Sequence, residues 1–206
     1  MNMQHKLFVS FLLCLALSFW SGCNFSFQIG GSQDGEMTLD QALKAAEKGD
    51  TKAQYALASS YYKGANVEQD FAKAAQWMLK AAEQGLVDAQ HDMGAFYKEG
   101  TGVEHDDAKA AQWFRKAAEQ GKVESQYYLG FCYHEGIGVA KDGAEAVKWH
   151  LKAAEQGHGG ALFNMGVCYQ DGFGVERDLE KALEWFRKSA EQGHEPAIEL
   201  LKKQEK

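Results

Sequence analysis

A single proline in 206 residues leaves this chain almost without the residue that most strongly breaks a helix. Positive charge is also short: the formal net charge is −7, which argues against sequence-independent nucleic-acid binding, because that depends on Lys and Arg displacing counterions from phosphates. Cysteine is sparse. Of four in the chain, Cys14 and Cys23 lie near the N-terminus, leaving Cys132 and Cys168 for the body. With His134 and His158 they show none of the close ligand pairs of a zinc site, so no metal or cofactor is expected. Gly100-Thr101-Gly102, Gly136-Ile137-Gly138 and Gly172-Phe173-Gly174 lack the Gly-Lys-Ser/Thr ending of a phosphate cradle and read as turns. What is present is 45% apolar and 25% charged residues, the balance of a folded protein, with many Ala, Glu, Lys, Gln and Leu, which lose little entropy in a helix.

Residues 1–22 read as an export signal: Lys6 supplies a positive charge without acids around it, and Leu7 to Trp20 is an apolar run of about 14 residues, short of the roughly 20 that span a bilayer. Ser21-Gly22-Cys23 then resembles the bacterial lipobox, which implies lipidation of Cys23; Trp20 departs from the Leu that this pattern prefers. Residues 24–38 carry no sustained period and read as a tether with a reach of about 20 Å. The membrane is expected to be met through that lipid anchor alone.

Ala53, Ala89, Ser125, Ala161 and Ala197 are each 36 residues apart, and the intervening segments align without a gap. Trp77, Trp113, Trp149 and Trp185 recur in step, as do Tyr61, Tyr97, Tyr133 and Tyr169. A fixed period of this length means one supersecondary unit stacked on copies of itself, since no unit alone can cover its apolar face. Each unit holds two helical patterns. Ala89, Met93, Gly94 and Tyr97 share one side of a helix over 87–99, and Ala110, Trp113, Phe114, Ala117 and Ala118 form a stripe over 107–120. Asp106 is placed to cap the second helix, and Gly85, Gly121, Gly157 and Gly193 to end the second helices in a left-handed conformation. Ala58, Gly94, Gly130 and Gly166 let the paired helices approach, with the Trp side chains filling the space nearby. The expected layout is a half repeat at 39–52, full repeats at 53–88, 89–124, 125–160 and 161–196, and a capping helix at 197–206.

The stretch MGAFYKEGTGVEHDDAKAAQWFRKAAEQG, Met93 to Gly121, resembles the Sel-one-like repeat, a relative of the tetratricopeptide repeat, and the resemblance runs from about Leu39 to the C-terminus. Ala58 and Asn66 stand where the other copies have Gly. The resemblance implies an all-α, right-handed α-solenoid of helix-turn-helix repeats whose first helices line an inner surface, and a non-catalytic role as an adaptor holding a protein or peptide in the cell envelope. By similarity to tetratricopeptide grooves, the partner-binding residues would be Tyr55, His91, Tyr127 and Phe163 in one row, Phe131 in the next, and Tyr62, Lys98, His134 and Gln170 in a third. The other reading of these aromatics is that they cover the neighbouring repeat. Cys132 and Cys168 occupy equivalent places in stacked helices, about 8–10 Å apart, too far for the usual disulfide, so two buried thiols are expected. Ser60-Tyr61-Tyr62-Lys63 matches Ser-x-x-Lys, which keeps a β-lactam-binding or cell-wall-acting enzyme as the alternative function.

Overall fold

The computed structural model describes residues 26–27 and 37–204. The export signal and the lipidation site Cys23 lie outside the described residues. Ten helices follow one another: α1 (Leu39–Glu47), α2 (Thr51–Lys63), α3 (Phe71–Glu83), α4 (Val87–Glu99), α5 (Asp107–Glu119), α6 (Val123–Glu135), α7 (Gly143–Glu155), α8 (Gly159–Asp171), α9 (Leu179–Glu191) and α10 (Glu195–Gln204). Each packs chiefly against the helix before and the helix after it, as a solenoid requires. Before α1, β1 (Ser26–Phe27) pairs antiparallel with β2 (Met37–Thr38), so backbone pairing joins two parts of the stretch that reads as a tether. Thr38 also caps α1, its side chain accepting from the Gln41 N–H in a reciprocal capping box.

The helix ends fall where the residue chemistry puts them. Asp70, Asp106, Asp142 and Asp178 each sit at the N-cap of a second helix, accepting from the amide three residues on. The free carboxylate is the better acceptor, and these hydrogen bonds hold Asp70, Asp106 and Asp178 below the usual carboxylate range. Gly85, Gly121, Gly157 and Gly193 have positive φ, as expected for helix ends.

One glycine position sets the stacking. A Cβ on Gly102, Gly138 or Gly174 would stand 1.9–2.0 Å from the carbonyl oxygen of Phe71, Asp107 or Gly143, the first residue of the second helix one repeat earlier. Only a bare backbone lets successive loops nest against those helix starts. Asn66 occupies the same place in the first repeat, at φ 64°, and only a half repeat precedes it.

The second glycine set lets the paired helices approach, as expected. A Cβ on Gly94, Gly130 or Gly166 would meet Phe114, His150 or Phe186 at 2.5–2.6 Å, so the close approach serves the residue after each Trp rather than the Trp itself. In the first repeat, where Ala58 replaces glycine, the facing residue is the more flexible Met78, and both belong to one buried cluster. Trp113 and Trp149 are buried, whereas Trp77 and Trp185 in the end repeats are half-buried. Each of the four carries a lysine ammonium over its ring, Lys80, Lys116, Lys152 and Lys188, at 3.8–4.5 Å.

Candidate protein-binding face

The first helices of the repeats, α2, α4, α6 and α8, bring the candidate residues into rows. The row Tyr55, His91, Tyr127, Phe163 is half-buried; Tyr55 and His91 reach into the following repeat, whereas Tyr127 and Phe163 meet the end of their own. Tyr55 donates its hydroxyl to Asp92 Oδ2 at 2.9 Å, and burial together with that carboxylate raises its pKa. Burial in turn raises the Asp92 carboxyl. His91 Nδ1 lies 2.8 Å from Ser125 Oγ, and burial lowers its pKa. The Tyr127 ring stacks on His158 at 4.5 Å, a contact made possible by Gly160, where a Cβ would come within 3.1 Å of Tyr127. Phe163 packs against Phe186 and His194. Tyr55 and His91 therefore tie repeat to repeat, and all four members keep part of their side chain at the surface.

The outer rows are more open. Phe131 is 37% exposed and Tyr62 40% exposed, and Lys98 and Gln170 are exposed as well. His134 is half-buried, 2.7 Å from Glu135 Oε1 and edge-on to Phe173. Lys98 holds its ammonium 4.9 Å over the Tyr128 ring. The Gln170 carbonyl accepts from Arg177 Nε.

Beneath this face runs a set of residues that the sequence reading missed. Gln54, Gln90 and Gln126 are buried, and each donates its amide to a carbonyl near the end of the preceding second helix, Ala46, Ala82 and Ala118. Each in turn accepts from Gln84, Gln120 or Gln156 at the end of its own repeat. Every rung thus gives a second donor to a helix-end carbonyl that already accepts from the backbone N–H of Gly49, Gly85 or Gly121. The signal was in the sequence, as two glutamine series with the repeat period, but a polar residue at such a position reads as solvent-facing.

Cys132 and Cys168 are free and buried, and burial pushes both thiols up to about 11, which keeps them protonated and unreactive at neutral pH. Ser60 is buried, and the exposed Lys63 lies beyond it on the same helix. Among the described residues no group of three or more His, Cys, Asp or Glu is placed to hold a metal ion, and no helix is long and apolar enough to cross a membrane.

The family model of the Sel1 repeat matches residues 51–86, 87–122, 123–158 and 160–194. Among solved structures, the chain is similar to a protective antigen present in uropathogenic Escherichia coli strains that displays an SLR fold, with 43% identity over 80% of this chain and 37% of that one, at a TM-score of 0.73. It is similar also to a Sel1 repeat protein from Oxalobacter formigenes, with 37% identity over 78% of this chain and 66% of that one, at a TM-score of 0.72. The chain thus spans about a third of the length of the first and just under two thirds of the second. No curated protein matches it. With four matched repeats, their helix pairs stacked in one solenoid, the chain belongs to the Sel1 repeat family.

Proposed function

We propose that this protein is a non-catalytic adaptor of the bacterial cell envelope, exported, anchored through a lipid on Cys23, and holding a protein or peptide along the face of its first helices. Sel1 repeat proteins in general serve as protein-interaction adaptors. The observation that carries the reading is the division of labour between positions. Asp caps, loop glycines and Trp recur from repeat to repeat, while the outer rows of the first helices change from Tyr62 to Lys98, His134 and Gln170, and expose Phe131. A frame that repeats while its surface row varies suits recognition of one particular partner rather than a shared chemistry.

The test is capture of the partner in intact envelopes by chemical cross-linking and mass spectrometry. The reading expects a reproducible partner that is lost on Tyr62→Arg plus Phe131→Arg while the helical circular dichroism is kept. Membrane partition is expected to require Cys23 and to be lost in Cys23→Ser. A partner captured equally by the double variant would overturn the binding face, and unchanged membrane partition of Cys23→Ser would overturn the anchor.

A further inference from the structure

Equivalent places at the three junctions between full repeats are filled differently. Between the first and second repeats, Tyr62 stacks on Phe96 at 5.5 Å and lies against Phe71 at 5.6 Å. Between the third and fourth, His134 meets Phe173 edge-on at 4.8 Å. At the middle junction the positions of Tyr62, Phe71 and Phe96 are taken by Lys98, Asp107 and Cys132, so the ring that closes the first junction has no counterpart. What results is a cavity of about 270 Å³ lined by Phe114, Tyr128, Phe131, Cys132 and Ile137, with the exposed Lys98 beside them.

We propose that this cavity anchors the partner, taking one aromatic side chain of a partner peptide that carries a carboxylate next to that ring. The inference rests on the adaptor reading and narrows it to one subsite. The molecule itself supplies the precedent for the occupant, since a tyrosine ring sits in the equivalent place one repeat earlier. Size points the same way, because sites for whole small ligands run from roughly 300 to 1,000 Å³ and this one falls below that range. A buried aromatic anchor in a walled pocket is also the commonest source of binding energy at protein interfaces.

Charge selects the carboxylate. Lys98 has only the Tyr128 ring beneath it, and among the described residues no carboxylate lies within ion-pair distance of its ammonium. Asp107 lines the same cavity, 3.3 Å from His105 Nε2, a pair that is ionic only when the imidazole is protonated. Lys98 is therefore the cavity-lining cation without an ion-pair partner, and a carboxylate on the partner would supply one, on a chain that is acidic overall.

Saturation-transfer NMR on the full chain tests this with N-acetylphenylalanine and N-acetylphenylalaninamide as probes. The proposal expects transfer to the ring protons of both, with the acid bound roughly threefold more tightly than the amide, as one exposed ion pair allows. Transfer is expected to vanish in Lys98→Tyr, which copies the residue that closes the first junction, and to weaken severalfold in Phe131→Ser, a second variant in case the first misfolds. No transfer to either probe, equal affinity for the two, or transfer that persists in both variants overturns the proposal. If envelope cross-linking still finds a partner on the first-helix face under those outcomes, only this inference falls; if no partner is found there, the adaptor reading falls with it.

Discussion

The fourth repeat is built on the same backbone as the first three, yet its polar interior differs. In the first three, a buried glutamine on the first helix links the end of the preceding helix to the end of the following one. In the fourth, Leu162 takes that place and packs with Ala153 and Ala154, and Ser189 donates instead to the Gly159 carbonyl at 2.7 Å. Since the helices keep the same lengths and order, the glutamine ladder is not what fixes the spacing of the repeats. That task falls to the loop glycines that admit a carbonyl oxygen of the preceding repeat, and the ladder adds satisfied hydrogen bonds to a geometry already set.

The largest effect should come from disturbing the glycines. Gly102→Val places side-chain atoms on the Phe71 carbonyl and forces a β-branched residue into positive φ, and is expected to lower unfolding free energy by more than about 3 kcal/mol in urea titration. Asn66→Gly at the equivalent position, where no full repeat lies behind, should change stability by less than about 1 kcal/mol. Similar losses at both sites would show that loop nesting does not set the repeat spacing.

Next in size is a second set of equivalent positions, His150 against Phe114 and Phe186. His150 is 0% exposed, and its Nδ1 is the one buried side-chain nitrogen or oxygen among the described residues that lacks a partner; its Nε2 has only Asn164 Nδ2 at 3.4 Å. Burial, reinforced by the nearby His134 and His158, pushes its pKa down to about 3 from the usual 6.5. Between those values the unfolded chain binds a proton that the folded one refuses, so the stability present at neutral pH is lost as pH falls below 6.5, by up to about 1.4 kcal/mol per pH unit. His150→Phe, which restores the pairing of ring and glycine seen in the repeats on either side, should remove about 2 kcal/mol of the stability difference between pH 7 and pH 5. An acid slope that is unchanged in the variant would assign the sensitivity to other groups.

The smallest effect is expected for the ladder itself. Gln126→Leu, which copies the fourth repeat, leaves the Ala118 carbonyl without its side-chain donor and should cost about 1–2 kcal/mol, with helix content unchanged. A loss as large as that of Gly102→Val would reverse the ranking drawn from the fourth repeat.

Much of this was legible in the sequence because it repeats. The period placed the helices over Val87–Glu99 and Asp107–Glu119 to within a residue, and the recurring Asp and Gly marked their ends. Burial of the glutamines was not legible, since a polar residue gives its environment away only once its hydrogen-bond partners are known. The glycine partners were not legible, because the phase of one helix against the next decides whether Trp113 or Phe114 faces Gly94, and periodicity fixes a face only to about one residue. The open junction depends on Lys98, Asp107 and Cys132 together, on three helices, and neither composition nor spacing brings those three to one place.

The measurement that most directly tests a repeating frame with a variable binding face is site-specific photo-cross-linking in living cells. A photoreactive residue would be placed in turn at Tyr62, Lys98, Phe131 and Gln170 on the first helices, and at Lys80, Lys116 and Lys152 on the second. The account predicts adducts to one partner protein from the first set, strongest at Lys98 and Phe131, and none from the second. Adducts from Lys80, Lys116 or Lys152, or an even yield across both faces, would contradict it.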